Sequence, residues 1–162
     1  MPLSERIRSF LDSHQTPYRV SAHPNVFTAR QVAILEHLPA RTVAKTVMVF
    51  GDGEYQMLVV PASRLVDLQE ARPVLGLIHL RLATEAEMAQ LFPDCEVGAM
   101  PPLGPLYGLA VYLDGSLAAE EEIAFNAGTH REVIHMKTAD FRRLVQPLVV
   151  SIVKQAAGFY GG

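Results

Sequence analysis

Residues 43–60 read VAKTVMVFGDGEYQMLVV, and this stretch decides the fold class. Two apolar runs, residues 43–50 and 55–60, flank the tetrapeptide GDGE at 51–54. An Asp-Gly pair between two apolar runs is a strong signal for a β-hairpin. Because both runs are apolar at odd and even positions, we expect both strands to be covered on both faces.

Helix signals lie on both sides of this hairpin. Ser4 is a candidate N-cap of a short amphipathic helix, and a capping box at residues 28–31 opens a second helix that ends before Pro39. After the hairpin, residues 84–87 form another capping box, and Thr138 is expected to cap a last short helix. The hairpin is therefore expected to lie between helical segments.

Short apolar runs predict further strands at residues 18–21, 77–82, 109–113, 123–126 and 133–136. The apolar tail, residues 148–153, either completes the core or forms an interaction surface. The order of the elements lacks the βαβα alternation of a doubly wound fold. It indicates an α+β fold with a mixed, β-barrel-like sheet surrounded by helices.

Composition limits the class of protein. The chain has 162 residues, 49% of them hydrophobic, so we expect one folded domain over residues 1–162. Its 14 basic and 17 acidic residues give a formal net charge of −3, which argues against a protein that coats DNA or RNA. The single cysteine, Cys95, excludes an internal disulfide and fits a cytoplasmic location. No apolar run is long enough for a membrane span, and residues 1–18 lack the apolar core of a signal peptide.

The common catalytic motifs are absent from the sequence. The six histidines show neither HExxH nor HxH spacing, so no metal site is predicted. A GxSxG elbow, a Walker-type loop and a GxGxxG motif are also missing. Cys95 is either a reactive thiol or a small apolar residue of the interior.

Lys45 opens the first strand of the predicted hairpin, on the same face as Val47 and Val49. If that face lines the interior of the sheet, the ammonium lies at the mouth of an apolar pocket, where it could bind a carbonyl, phosphate or carboxylate group. Alternatively, Lys45 is a solvated residue that protects the end of a strand from aggregation.

Two loops could line such a pocket. Six of the eleven residues at 98–108 are Gly or Pro. A loop of this composition can select a small ligand through backbone contacts. Alternatively, it is a surface connection without a function of its own. Residues 126–130 read NAGTH and form either a tight turn or one wall of the same pocket. His130 is accordingly a structural or a functional residue.

Taken together, these pieces resemble the YbaK/prolyl-tRNA synthetase-associated domain family of free-standing aminoacyl-tRNA deacylases. The resemblance covers roughly residues 3–147. Its matching pieces, in chain order, are His23-Pro24, Thr28-Ala29 and residues 43–47, 55–61, 82–88, 98–104, 111–114 and 126–128.

The resemblance implies a barrel-like mixed sheet and hydrolysis of the ester that joins a wrong amino acid to the 3′ adenosine of tRNA. It implies no metal or organic cofactor. Lys45 matches the family's substrate-holding lysine and is the catalytic candidate. The candidate substrate-binding residues are Thr28, Val47, Gly98, Ala99, Met100, Pro101, Gly104, Gly128, Thr129 and His130.

The same resemblance implies a partner and a class of substrate. The partner is the acceptor end of an aminoacyl-tRNA, with a synthetase as a further candidate and with neither DNA nor a membrane. Because a synthetase discriminates similar amino acids by only ~1–3 kcal/mol per methylene, a second site has to remove the errors. We expect trans-editing of a small residue: alanine, serine, cysteine or threonine.

Family members often carry Gly-Gly and Ser-Pro in the loop that here reads GAMPP at 98–102, so Met100 could reshape the pocket. The alternative is a non-catalytic module of the same fold that binds a small ligand or a tRNA end.

Overall fold

The computed structural model describes residues 4–24 and 28–154. Its α-helices are α1 (Glu5–Ser13), α2 (Ala29–Leu35), α3 (Leu68–Val74), α4 (Glu85–Leu91), α5 (Gly115–Ala118) and α6 (Thr138–Val145). Its strands are β1 (Arg19–Ala22), β2 (Ala44–Gly51), β3 (Glu54–Pro61), β4 (Arg81–Leu82), β5 (Ala110–Asp114), β6 (Glu122–Asn126), β7 (Glu132–Lys137) and β8 (Leu148–Val150).

The predicted hairpin is confirmed as β2 and β3, which pair antiparallel from Ala44 opposite Pro61 to Gly51 opposite Glu54. The two turn residues have positive φ, +49° at Asp52 and +87° at Gly53. Such a two-residue turn matches the right-handed twist of the strands and favours Asp-Gly. The Asp52 carboxylate also accepts the backbone N–H groups of Ile78 and His79.

Two sheets form around this hairpin. One has the strand order β1-β7-β6 and the other β4-β2-β3-β5-β8. The second sheet is mixed, because β5 pairs parallel with both β3 and β8. A single parallel bridge between Val43 and Ala124 joins the start of β2 to β6. The prediction of a mixed, barrel-like α+β fold is confirmed, although the two sheets do not close into a barrel.

Alternate residues of β2 face different parts of the interior. Ala44 and Met48 pack into the main hydrophobic core, which also contains Met100. Val49 packs with Ala71 of α3 in a separate cluster on the other face. The hairpin is therefore covered on both sides, as its apolar pattern predicts.

Helix α2 is joined to the smaller sheet by a buried ionisable cluster. The Glu36 carboxylate, at the C-cap of α2, lies 3.3 Å from His23 Nε2 and 3.0 Å from His135 Nε2. His135 Nε2 also lies 2.9 Å from the Ser21 hydroxyl. The C-terminal end of α2 is thereby fixed relative to the sheet.

The structure differs from the sequence predictions in several places. Thr138 is the first residue of α6 and not its cap, because the N-cap residue is Lys137. The strand expected at 77–82 is only β4, because the turn residue Asp52 binds the backbone at residues 78 and 79. Helix α3 was not predicted; Asp67 caps it, and it contains Pro73. The tail contributes β8 and the fully buried Ile152 to the core, while Leu148 and Val149 of β8 are exposed. No helix among residues 4–24 and 28–154 has the length and apolar character needed to cross a membrane.

Candidate active site

The glycine loop, residues 98–104, lies against the turn that follows β6. The Gly128 N–H donates to the Ala99 carbonyl at 2.9 Å, and the Glu96 N–H donates to the Gly128 carbonyl at 2.8 Å. Gly98 and Gly128 both have positive φ, +91° and +94°, which glycine adopts without strain. These two segments, which the sequence analysis expected to share one site, are brought together.

His130 is held at the edge of the glycine loop. Its backbone N–H donates to Glu96 Oε1 at 2.6 Å, and its ring Nε2 lies 3.1 Å from the Val97 carbonyl oxygen. A Cβ at Gly98 would stand 3.5 Å from His130 Cε1. Thr129 caps the same turn, since its hydroxyl donates to Glu132 Oε1 at 3.3 Å.

Thr46 ties the glycine loop to β2. Its hydroxyl donates to the Met100 carbonyl at 2.9 Å. The side chains of Ala99 and Met100 are buried, and Met100 packs into the main core. The Met100 N–H forms no hydrogen bond with any residue in the described part of the chain. The loop therefore offers a backbone donor at the point where it meets β2.

Lys45 lies on the opposite face of β2 from Thr46, because successive side chains of a strand alternate. It is half-buried. Burial lowers the pKa of the Lys45 ammonium below its ordinary value, and the positive charge of Arg30 lowers this pKa further. No hydrogen bond or ion pair in the described ranges joins Lys45 to the glycine loop. Lys45 and the glycine loop therefore lie on opposite faces of β2. A single substrate can contact both of them only if it crosses the edge of this strand.

The remaining candidates have clear structural surroundings. Thr28 caps α2, accepting the Gln31 N–H at its hydroxyl oxygen. Val47 packs against the cluster under α3, and Pro101 is buried. At Gly104 a Cβ would lie 2.2 Å from Val111 Cγ2, so the close packing of the loop requires glycine there.

Three residues that shape the site were not singled out from the sequence. Thr46 anchors the loop, Glu96 anchors the 126–130 turn, and Arg30 adds positive charge beside Lys45. Threonine is common in strands because it is β-branched, so the presence of Thr46 in β2 did not indicate a role in the site. The contacts of Glu96 and Arg30 depend on tertiary structure.

Cys95 lies beside the turn but is poorly suited to act as a nucleophile. Burial raises the pKa of its thiol to about 11, and Sγ lies 3.2 Å from the Tyr107 hydroxyl. The thiolate is the reactive form, so this environment suppresses reactivity. Across residues 4–24 and 28–154, no three His, Cys, Asp or Glu side chains gather where they could hold a metal ion.

Comparison with known proteins assigns this arrangement to a family. Residues 23–144 match the family model for the aminoacyl-tRNA editing domain. The chain is 29% identical over 157 residues to the multifunctional Ser/Thr-tRNA deacylase ProXp-y of Escherichia coli K12, covering 94% of this chain and 93% of that protein.

Two solved structures share the fold. One, described as a proposed trans-editing enzyme for prolyl tRNA synthetase, has a TM-score of 0.81 at 24% identity over 95% of this chain and 100% of that one. The other, hypothetical protein APE2540, has a TM-score of 0.83 at 17% identity over 93% and 100%. The family match covers most of the chain and confirms the predicted aminoacyl-tRNA deacylase activity. This chain belongs to the aminoacyl-tRNA editing domain family.

Proposed function

We propose that this protein hydrolyses the ester bond of tRNAs mischarged with serine or threonine, and that it acts in trans on the acceptor end. The choice of amino acids is supported by its 29% identity to a protein named Ser/Thr-tRNA deacylase. Alanine and cysteine are the other small residues expected from the sequence. The proposed location is the cytoplasm, where a synthetase could hand over the tRNA.

The contact that supports this proposal most directly is the hydrogen bond between Thr46 and Met100. It fixes the glycine loop at the edge of β2, one residue from Lys45. A substrate that crosses this edge would place its aminoacyl group against the loop and its adenosine against Lys45. The site is thus suited to an ester that links two chemically different halves.

An aminoacyl ester is already activated, so positioning a water molecule and stabilising the oxyanion are sufficient chemistry. The Met100 N–H, which has no hydrogen-bond partner in the described ranges, is the donor we assign to the developing oxyanion. Gly98 lets the backbone approach the aminoacyl group closely, since no side chain intervenes. His130 borders that space and is the proposed side-chain contact to the amino acid.

Lys45 serves in this proposal as an orienting cation and not as a nucleophile. Its ammonium, together with the charge of Arg30, suits the phosphate and ribose of the terminal nucleotide. The net charge of −3 is compatible with this role because only the acceptor end is bound.

The test is a deacylation panel. tRNAs charged separately with alanine, serine, cysteine, threonine and proline are incubated with the protein, and loss of the ester is followed for each. We expect rapid loss from the seryl and threonyl esters. Lys45→Ala should reduce the rate at least ~100-fold, the scale on which a single stabilising group acts.

Lys137→Ala is the matched control, because Lys137 is an exposed lysine at the end of β7. It should keep the full rate, and both variants should keep the unfolding temperature. Full activity in a folded Lys45→Ala protein would contradict the assigned role. Binding of charged tRNA without turnover would instead indicate a binding module.

A further inference from the structure

Asn126 and Lys45 each follow a residue of the bridge that joins their two strands. The bridge between Val43 and Ala124 is parallel, so Lys45 and Asn126 each follow it by two residues and each lie on the face of their strand that carries the bridged residue. In the described ranges no second bridge continues this pairing. The two strands thus leave an unpaired edge between the residues that carry these two side chains.

The amide oxygen of Asn126 lacks a hydrogen-bond donor among the residues that the structure describes. Oδ1 is buried from solvent and accepts no hydrogen bond within the described part of the chain. A buried acceptor without a donor is costly, and most such groups in native proteins are paired. A substrate bound at Lys45 can supply the missing donor, provided that the amide becomes accessible when the substrate binds.

The surrounding charge selects the kind of donor. Lys45 lies within electrostatic reach of a second cation: burial is the main cause of its lowered pKa, and the positive charge of Arg30 lowers this pKa further. The α-ammonium group of the amino acid would add a third positive charge there. A neutral O–H donor avoids this repulsion, because it carries no charge.

An aminoacyl-tRNA provides such a donor next to the reacting bond. The ester occupies one of the two vicinal hydroxyls of the terminal ribose, and the other stays free. We propose that Asn126 is a positioning residue whose Oδ1 accepts a hydrogen bond from this free ribose hydroxyl. This inference rests on the proposed function, since it assigns the adenosine half of the substrate to the face that carries Lys45.

The experiment measures binding, so that it does not depend on turnover. Two acceptor-stem RNAs are compared, one ending in 3′-seryl-amino-3′-deoxyadenosine and the other in its 2′-deoxy counterpart; the amide in both resists hydrolysis. The unsubstituted protein should bind the first about tenfold more tightly, as expected for one hydrogen bond to a buried group. Asn126→Ala should lose this preference by weakening only the first RNA.

Asn126→Asp keeps an oxygen at the same place and should retain the preference. Gln56→Ala is the matched control, because Gln56 Oε1 is also buried without a partner. Gln56 lies four residues, or about 13 Å, along β3 from Val60, the residue opposite Lys45. Its replacement should leave the preference unchanged.

The outcomes separate the two proposals. Equal weakening of both RNAs by Asn126→Ala, or no weakening of either, would overturn the role of Asn126 and leave the proposed function standing. Failure of the unsubstituted protein to bind either RNA would contradict the proposed function itself. Thermal unfolding of each variant verifies its fold, and Asn126→Leu provides a second variant of similar volume.

Discussion

Gly98 adopts a φ of +91° directly against the ring of His130, where an added Cβ would lie 3.5 Å from Cε1. The space is adequate, but the backbone conformation is one that residues with a side chain rarely adopt. Gly98→Ala should therefore destabilise the protein by ~1–2 kcal/mol and lower the deacylation rate. Gly53→Ala is the matched control: its φ is +87°, nothing lies within 4 Å, and the turn is remote from the site. It should lower the unfolding temperature to a similar extent without changing the rate.

Thr46→Val should release the glycine loop while keeping the shape of the side chain. The change leaves the Met100 carbonyl without the hydroxyl that now lies 2.9 Å away. We expect a loss of ~1 kcal/mol of stability and a clear fall in kcat/KM. Thr46→Ser restores the hydroxyl and should recover most of the activity. Equal kinetics in the Val and Ser variants would show that this bond does not matter for catalysis.

Arg30→Gln should raise the pKa of Lys45. Burial is the main cause of the lowered pKa, and the charge of Arg30 is the second, so removing that charge leaves only the first. The chain has three lysines, Lys45, Lys137 and Lys154, and ¹³C-lysine NMR can follow each one. We expect the Lys45 titration to move to higher pH in Arg30→Gln while the other two stay in place. If the midpoint of the Lys45 titration did not change, the charge of Arg30 would have no effect on the pKa of Lys45.

Cys95 should react slowly with alkylating reagents in the folded protein. With its pKa raised to about 11 by burial, the thiolate is scarce at pH 8. Iodoacetamide should modify Cys95 at least ~100-fold more slowly than a free cysteine, and unfolding should restore the normal rate. Rapid labelling of Cys95, with a parallel loss of deacylation activity, would contradict this prediction and make Cys95 a candidate nucleophile.

The protein should lose stability as the pH falls below about 6.5, the ordinary pKa of histidine. Burial lowers the pKa of His135, and Arg19 lowers it further, which outweighs the opposing carboxylates Glu36 and Glu122. The unfolded chain then binds more protons than the native one, so acid favours unfolding. Urea unfolding at pH 5 and pH 7 measures this difference. His135→Gln should reduce it, and His14→Gln, at an exposed histidine, should not.

The hairpin and three of the helix starts, at Ser4, Thr28 and Thr84, were predictable because they depend on neighbours in sequence. Residues 51–54 specify the turn, and the capping boxes at Thr28 and Thr84 are both present in the structure. Helix α3 was missed, since Pro73 within it is an unfavourable residue for a helix interior. The strand at 77–82 was overestimated because Asp52, far away in sequence, binds its backbone.

Only part of the candidate site could be predicted from the sequence. The sequence indicated the glycine loop and the 126–130 turn, and hydrogen bonds do join them. It could not indicate that Lys45 stands on the face of β2 opposite the main core, because both faces of the strand are apolar. The tie through Thr46 joins residues 54 positions apart and has no local signature.

The burial of the Ala99 and Met100 side chains has an evolutionary consequence. Both residues are buried and Met100 packs into the main core, while the Met100 main-chain N–H has no hydrogen-bond partner among the described residues. Every amino acid except proline has the same amide group, so the chemistry assigned to the Met100 N–H can survive replacement of that residue by another that fits the core. Relatives can then drift far apart in sequence while the amide remains in place. A residue-by-residue comparison of such proteins would underestimate how much of their chemistry is shared.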